Sequence, residues 1–280
     1  MAPRSQPTAR QVRLGAELRK LRDSAGMSAR EAAGTLSSTS AQMSQVEAGL
    51  SGVSEERVRR IAAIYGCEDE ALIDALVAMA SDRARGWWEE YRGVLPPAFL
   101  DLAELEHHAR FIRVIGTAHV PGLLQTEDYA RAVFAYWIPE GDLGSRVAHR
   151  MRRRAVLTRD GAVEYEAVIH ESVLRTRVAD RGVARAQLDE ILQQSERPNV
   201  SVRVIPFDTD GFGGASAALL YAGGPVPALD TVQRDTPYGT AFLDSASQLL
   251  AMRTLFRKVE SVSLDPLKSR DFIHRLAKDL

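Results

Sequence analysis

The feature that most constrains this chain is a pair of short helical segments near its N-terminus, Ala29–Leu36 and Ser40–Ala48. Ser28 directly precedes the first segment and Glu31 lies three residues further on, the spacing of a capping box that satisfies free backbone N–H groups. Thr39 stands in the same place before the second segment, which a glycine ends. Alanines on the inner side of the first segment permit a close helix crossing. The pattern therefore predicts two small helices in contact.

Three further amphipathic segments surround this pair. Val12–Ala25 places leucines on one face and is followed by Gly26, a C-cap position where positive φ costs glycine nothing. Glu55–Tyr65 and Asp69–Met79 carry apolar side chains at helical spacing. Five helices with a closely joined short pair in the middle are the arrangement of a helix-turn-helix domain.

The charge of the chain is unevenly distributed along the sequence. Residues 1–60 hold ten basic and six acidic side chains, a net of +4, whereas the whole chain carries −1. A basic end on an acidic body is the polarity expected of a protein that meets phosphate with one end. Many domains with other functions are equally basic, so the charge indicates DNA binding only together with a DNA-binding fold.

Residues 14–66 resemble the Xre and phage-repressor family of DNA-binding domains. The matching landmarks are LGAELRKLRDSAGMS, the SQVEAG that closes the third helix and the RIAAIYG of the fourth. Two positions depart from the family pattern, since Ala29 stands where the family usually has Gln and Ser37 where it usually has Gly. The first departure weakens the transfer of one DNA contact. The second costs up to about 1 kcal/mol if the backbone there is left-handed.

The resemblance implies that the third helix enters the major groove of DNA with its N-terminal end first. Gln42 and Gln45 can then each bind adenine in a bidentate manner, and Ala41 can meet a thymine methyl group. Arg30 and the N-termini of the second and third helices suit phosphates, which position the domain without specifying sequence. The implied DNA-contacting residues are Ser28, Arg30, Thr39, Ser40, Ala41, Gln42, Ser44 and Gln45.

Two further expectations concern Glu47, which lies beside this surface, and the oligomeric state of the protein. Glu47 is not a DNA contact, because phosphate repels a carboxylate, and we expect it to pair with Arg19 or Arg22. A single unit of this kind buries too little surface for tight specific binding. The resemblance therefore implies a homodimer on paired half-sites of double-stranded operator DNA, about one helical turn apart.

Beyond residue 81 the pattern changes to strands in bursts among helices of unequal length. Alternation predicts strands at Phe111–His119, Glu164–His170 and Val200–Phe207, and shorter strands at 218–222, 228–233 and 239–243. The irregular spacing favours an α+β class over a doubly wound sheet. The predicted organisation is a flexible tail over 1–11, an all-α five-helix domain over 12–80, and a larger α+β domain over 81–280 that dimerises and receives a signal or partner.

Residues 82–280 resemble the C-terminal domain of actinobacterial Xre-type regulators of the WhiJ-like kind. The residues that carry this resemblance are PGLLQT with YARA and the strand VSVRVIPF. That domain is of unknown function. Its regulators are commonly paired with small BldB-like proteins, in an arrangement likened to toxin–antitoxin modules. The resemblance therefore implies a small partner protein and names no ligand.

The sequence lacks the motifs of catalysis, metal binding and membrane insertion. Its histidines form no HExxH, no GxSxG occurs, and the glycines of DGFGGAS lack the lysine of a phosphate-binding loop. The pair His170–Glu171 is interpreted as a strand end that enters a helix. Cys67 is alone, which excludes an internal disulfide or a Cys-rich zinc site. No apolar run approaches the roughly 18 residues of a membrane span, and the N-terminus lacks the apolar core of a secretory signal. We expect no enzyme, no cofactor, no metal, no membrane contact and a cytoplasmic location.

Two features leave alternatives open. A concentration of aromatic residues fits the core or dimer interface of the second domain, or an apolar ligand pocket; its members are Trp87, Trp88, Tyr91, Phe111, Tyr129, Phe134 and Trp137. The basic run MRRRAVLTR fits a solvated face paired with acidic neighbours, a second DNA contact, or a surface for an acidic partner.

Taken together, the residues and the two resemblances predict a sequence-specific transcription regulator that reads DNA through its third helix. The alternative is an antitoxin-like interaction module that binds a small BldB-like partner, with DNA binding secondary.

Overall fold

The computed structural model of the chain describes residues 7–82, 86–137, 142–214, 218–236 and 239–280. Two compact units divide the chain, Met1–Glu89 and Glu90–Leu280, and we call them the N-terminal and the C-terminal unit. Part of the tail predicted over 1–11, residues 1–6, lies outside the described residues.

Five α-helices make up the N-terminal unit in its described residues. They are α1 (Ala9–Ser24), α2 (Ala29–Thr35), α3 (Ser40–Glu47), α4 (Glu55–Ile64) and α5 (Glu70–Ser81). Helix α1 packs against α3, α4 and α5, and α2 packs against α3. Apolar side chains from all five helices form the core, where Leu18, Ala32, Met43, Ile61 and Leu76 are almost completely buried. The predicted five-helix domain is confirmed.

The helix ends follow local signals in the sequence. Ser28 forms the predicted capping box with Glu31, Thr39 caps α3, and the glycine after α1, Gly26, has a φ of 69°. Helix α1 begins three residues before the predicted start at residue 12, because Thr8 forms a further capping box with Gln11. Residues 9–11 of the predicted tail are therefore helical.

The C-terminal unit contains one six-stranded sheet and seven α-helices in its described residues. The strands are β1 (Phe111–Gly116), β2 (Glu164–His170), β3 (Val200–Ile205), β4 (Leu219–Gly223), β5 (Thr231–Thr236) and β6 (Gly239–Leu243). The helices are α6 (Pro97–His108), α7 (Glu127–Trp137), α8 (Leu143–Arg153), α9 (Glu171–Arg175), α10 (Arg181–Gln194), α11 (Ala246–Ser261) and α12 (Pro266–Asp279). The α+β class is confirmed.

The sheet is mixed, with two parallel and three antiparallel strand pairs. Its strand order is β3-β2-β1-β4-β5-β6. Strands β1, β2 and β3 run parallel and are joined by helical connections, whereas β4, β5 and β6 continue the sheet antiparallel from β1. Side chains alternate between the two sheet faces, so each face has its own core. One core includes residues of α7, α10 and α12, and the other includes residues of α11.

Two prolines explain why predicted strands and observed strands differ at their ends. The strand predicted over 200–207 ends at Ile205, directly before Pro206. The strand predicted over 228–233 begins only at Thr231, because the turn Pro227–Leu229 is a single turn of 3₁₀ helix. Proline has no backbone N–H to donate to a sheet, so strands stop or start beside it.

A buried ion pair joins two helices of the C-terminal unit. The Arg153 Nε and Nη2 atoms donate to the two carboxylate oxygens of Glu106 at 2.7 and 2.6 Å. The arginine side chain is 5% exposed and the glutamate side chain 0%. Such a pair stabilises the fold only while both charges are present, since a lone buried charge keeps its desolvation cost.

The other arginines of the basic run over 151–159 and its neighbour Arg150 also have protein partners. Arg152 pairs with Glu90, Arg154 with Glu190, and Arg159 donates to the carbonyl oxygen of His107. Arg150 donates to the side-chain oxygen of Gln125 at 2.5 Å, and its burial lowers its pKa to about 9. These contacts favour the interpretation of the run as paired with its neighbours, but it is not a solvated face throughout, because Arg153 is buried.

The concentrated aromatic residues do not form one group. Trp88, Tyr129 and Phe134 are buried, whereas Trp137 is 71% exposed. Phe111 stacks on Tyr221, with 6.1 Å between the ring centroids. This distribution favours the interpretation as core residues over that of one apolar pocket.

We expect Arg153→Met to lower the free energy of unfolding of the C-terminal unit by about 3–5 kcal/mol, because it leaves Glu106 charged and buried. The adjacent Arg152→Met is the matched control, since its pair with Glu90 is largely exposed and such pairs contribute about 0–1 kcal/mol. Urea denaturation of both variants, followed by circular dichroism, measures the difference. Equal losses in the two variants would contradict the role of the buried pair.

Candidate nucleic-acid interface

One buried ion pair fixes α3 against the end of α1. Arg22 Nε donates to Glu47 Oε1 at 2.7 Å and Nη2 donates to Oε2 at 3.1 Å. The remaining guanidinium nitrogen, Nη1, donates to the carbonyl oxygen of Met27 at 2.7 Å, which adds the turn before α2 to the same contact. Hydrogen bonding to Glu47 raises the pKa of Arg22. The expected partner of Glu47 is therefore confirmed as Arg22, whereas Arg19 pairs with Asp23.

Two glycines allow α1 to approach the C-terminal end of α3 at backbone contact. A Cβ atom at Gly15 would lie 2.5 Å from the carbonyl oxygen of Glu47. A Cβ atom at Gly49 would lie 2.7 Å from the carbonyl oxygen of Gln11, and Gly49 also has a φ of 72°. Any side chain at either place would push the two helices apart. Helix α3 is therefore held by close packing as well as by charge.

The turn between α2 and α3 contains the backbone conformation that the family pattern implies. Ser37 has a φ of 52°, and no other described non-glycine residue has positive φ. A serine at this position is strained, because its Cβ crowds the following carbonyl group. The next residue, Ser38, donates its backbone N–H to the carbonyl oxygen of Ala33 at 2.8 Å, which closes the end of α2.

A hydrogen-bonded network holds the N-terminal end of α3. Thr39 Oγ1 accepts from the backbone N–H of Gln42 at 3.2 Å, and Gln42 Oε1 accepts from the backbone N–H of Thr39 at 3.2 Å. The same Gln42 oxygen accepts from the Ser38 hydroxyl at 2.9 Å, and Arg57 of α4 donates to that hydroxyl at 3.0 Å. The network therefore connects α4 to the first turn of α3 through side chains.

This network separates the two glutamines that the sequence analysis treated alike. A bidentate contact to adenine needs the glutamine oxygen to accept from adenine N6 while the nitrogen donates to N7. The oxygen of Gln42 already accepts two hydrogen bonds. Gln45 is exposed, and within the described part of the chain its side-chain amide makes no hydrogen bond. The geometry therefore makes Gln45 the glutamine that is available to a base.

All eight predicted DNA-contacting residues are exposed, and they lie at the N-termini of α2 and α3 and on the outward side of α3. Met43 and Val46 form the buried side of α3. Ser28 is already used inside the protein, since its hydroxyl donates to Glu31 Oε2 at 2.7 Å and accepts from the Glu31 backbone N–H. The Ser28 hydroxyl and backbone N–H both donate to the Glu31 carboxylate, which lowers the pKa of Glu31 and keeps a negative charge beside Ser28.

Arg57 is a functional candidate that the sequence analysis missed. Thr39 and Gln42, which belong to the same network, stand at the T-x-x-Q spacing of a capping box, a signal visible in the sequence. The signal for Arg57 itself was absent, because nothing local connects it to a serine nineteen residues earlier. Its role depends on how α4 packs beside α3.

Many of the cations that make the N-terminal unit basic are neutralised within it. Side chains paired with carboxylates include Arg13, Arg19, Lys20, Arg22 and Arg59. Within the residues that the structure describes, Arg30 and Arg60 are exposed and have no carboxylate partner. Arg30 lies in the first turn of α2. The number of basic side chains in the segment therefore overstates the positive charge available to DNA.

Comparisons with known proteins agree with this division of the chain. Residues 13–76 match the family model described as a helix-turn-helix domain, and residues 99–275 match the domain of unknown function DUF5753. Neither a curated protein nor a solved structure matches the chain. The helix-turn-helix match indicates a DNA-binding regulator.

Across the described ranges, none of the helices is long and apolar enough to cross a membrane. The same ranges hold no group of three or more His, Cys, Asp or Glu side chains that could hold a metal ion.

We expect Ser37→Gly to stabilise the N-terminal unit by about 0.5–1 kcal/mol, because glycine adopts the left-handed backbone without strain and loses part of that gain to unfolded-state entropy. Ser51→Gly is the matched control, since Ser51 is an exposed turn serine whose φ is not positive. Thermal and urea denaturation of the two variants measure the effect. A stabilisation by Ser51→Gly equal to that by Ser37→Gly would contradict the assignment of strain to residue 37.

Proposed function

The chain belongs to the DUF5753 family and carries a helix-turn-helix domain ahead of that domain, and from this premise we propose that it is a sequence-specific transcription regulator that reads the major groove with α3. In this proposal the helix-turn-helix domain is of the Xre type and the C-terminal unit is of the WhiJ-like kind. Both assignments rest on the sequence motifs quoted above for the two resemblances. Its place of action is the cytoplasm, and its role is regulatory rather than enzymatic.

The observation that carries the proposal is the rigid mounting of a polar, carboxylate-poor helix face. The Arg22–Glu47 pair, the backbone contact at Gly15 and the network around Gln42 hold α3 from its two ends. The exposed residues of this face are small or uncharged: Ser40, Ala41, Ser44 and Gln45. Small side chains let a helix lie deep in the major groove, where base edges are accessible.

Within this proposal each exposed residue has a distinct partner on DNA. Gln45 forms the bidentate contact to adenine, and Ala41 meets a thymine methyl group. Thr39 and Ser40, at the N-terminus of α3, and Arg30, in the first turn of α2, contact phosphates and set the register of the domain. Gln42 acts as a positioning residue that keeps the first turn of α3 in place.

Dimerisation is part of the proposal because one unit offers few contacts. A face with a single reading glutamine and few unpaired cations provides little affinity for one half-site. Two copies bound to paired half-sites, about 10 base pairs apart, double both the base contacts and the phosphate contacts. The C-terminal unit supplies the dimer contact and receives the signal or partner in this proposal.

A second candidate is an antitoxin-like module whose C-terminal unit binds a small BldB-like partner protein, with DNA binding secondary. The scarcity of unpaired cations on the α3 side favours it, because a weak DNA binder depends on assembly for affinity. Selection of genomic fragments by the purified protein at physiological salt separates the candidates. Enrichment of a paired half-site motif supports the regulator, and the absence of any enriched motif, with a small protein that co-purifies, supports the module.

We expect Gln45→Ala to weaken binding to the best site by about 1–3 kcal/mol and to relax the preference at one base pair of each half-site, because a bidentate contact is lost. Gln42→Ala is the matched control on the same helix. It removes the reciprocal half of the capping box and the hydrogen bond from Ser38, lowers the free energy of unfolding of the N-terminal unit, and leaves the base preference unchanged. Selection from a randomised DNA pool, with denaturation of both variants, measures the two effects. A base preference that changes with Gln42→Ala and not with Gln45→Ala would reverse the assignment.

We expect the logarithm of the binding constant to fall with the logarithm of salt concentration by a slope of about −0.9 for each phosphate contacted. Arg30→Gln flattens this slope by about 1 for each bound subunit and weakens all sequences alike. Arg19→Gln is the control, because its guanidinium group already pairs with Asp23. Titrations between low and physiological salt measure the slopes. A sequence-selective loss in Arg30→Gln would contradict the phosphate role.

A further inference from the structure

The C-terminal unit contains an arginine-lined cavity of about 260 Å³ on the side of α12. Its walls come from the end of α9, the segment that leads into α10, the first turn of α10 and the last turn of α12. The lining residues are Leu174, Arg175, Arg177, Arg181, Leu276, Asp279 and Leu280. We call this cavity the arginine pocket.

The guanidinium groups of the arginine pocket have more N–H donors than protein acceptors. Arg175 Nε donates to Glu171 at 2.5 Å, and the other oxygen of Glu171 accepts from the backbone N–H of Phe207. Arg181 Nη2 donates to the backbone carbonyl oxygen of Asp279 at 3.1 Å. Arg177 has no hydrogen-bond or ion-pair partner in the described residues. Neither Arg177 nor Arg181 pairs there with a carboxylate, although Asp279 also lines the cavity.

The opposite wall of the arginine pocket is apolar. Leu174 and Leu276 are 4% and 6% exposed and belong to the main core of the unit. The three arginines on the other side are exposed to solvent, so the cavity places charged donors beside an apolar surface at the boundary with water. The N-terminus of α10 is capped by Asp180, whose carboxylate accepts from the backbone N–H of Val183 at 2.9 Å, so the positive charge of the cavity comes from the arginines.

We infer that the arginine pocket binds a small molecule with one carboxylate or phosphate group on a short apolar body. The planar guanidinium group matches both anions through paired N–H donors. The leucine wall accepts the apolar body, and the cavity is smaller than the roughly 300–1,000 Å³ of typical drug-sized sites, so the molecule is small. This inference deepens the proposed receiving role of the C-terminal unit and rests on it.

The test is a titration of the full chain, with ¹³C-labelled leucine methyl groups, followed by NMR. Hexanoate is the probe, and hexan-1-ol at the same ionic strength is its neutral counterpart. We expect hexanoate to shift the signals of Leu174, Leu276 and Leu280 in a saturable manner, and hexan-1-ol to shift them weakly. The double variant Arg177→Gln/Arg181→Gln should weaken hexanoate binding by about tenfold or more, because charge-assisted hydrogen bonds are lost.

Arg185→Gln is the matched control, because Arg185 is exposed on α10, one turn after Arg181, and does not line the cavity. It should bind hexanoate as the wild type does. Shifts that do not saturate, or that persist in the double variant, overturn the inference. Inorganic phosphate that binds as tightly as hexanoate overturns the role of the apolar wall.

Two further measurements distinguish the possible causes of a negative result. The signals of the other leucine methyl groups report whether the double variant is folded. If those signals change, the single variant Arg177→Gln replaces the double variant. Its loss breaks no hydrogen bond or ion pair, because Arg177 has none in the described residues. DNA selection with the unliganded protein does not involve this cavity. A failed titration with successful DNA selection therefore rejects the arginine pocket alone, and the reverse result rejects the DNA-reading role alone.

Discussion

The candidate DNA-reading surface depends on the ion pair between Arg22 and Glu47. Helices α2 and α3 have seven and eight residues, and helices this short are not stable alone. Their orientation must therefore come from tertiary contacts. A forked guanidinium group that meets both carboxylate oxygens fixes distance and rotation together, and its third contact, to Met27, also fixes the turn before α2. The cost of burying two charges is the reason that such a pair specifies geometry more than it adds stability.

Arginine is mainly a structural residue in this chain, and this changes how its charge should be interpreted. Arg22 and Arg153 form buried pairs, and Arg57 supports the turn before α3 through Ser38. The arginines without carboxylate partners in the described residues are therefore the informative ones. Arg30 lies beside the reading helix, and Arg177 lies in the arginine pocket. Both residues thus lie on the two surfaces where we propose binding.

Local features could be predicted from the sequence, and features that depend on distant residues could not. The helix caps could be predicted because each depends on residues within three positions of the helix end: the side chains of Ser28 and Thr39, and the backbone freedom of Gly26. The parallel pairing of β1, β2 and β3 could not be predicted, because the helical connections between them differ in length and the sequence shows no regular alternation of strand and helix. The arginine pocket brings Arg177 to Leu276, a hundred residues away, and no local pattern encodes that approach. The second role of Gln42 was hidden because one residue type serves both helix capping and base reading.

The length of α3 limits how the proposed regulator can achieve specificity. An eight-residue helix has few outward positions, and the capping box takes the oxygen of Gln42 from them. Gln45 is then the longest outward side chain of α3 that makes no hydrogen bond in the described residues. The serine and alanine side chains beside it are too short to extend far into the major groove. A face of this kind discriminates few base pairs in one half-site, and each mismatch costs only about 1–3 kcal/mol. Specificity must then come from the spacing of two half-sites, so the contact that joins two subunits becomes as important for sequence recognition as α3 itself.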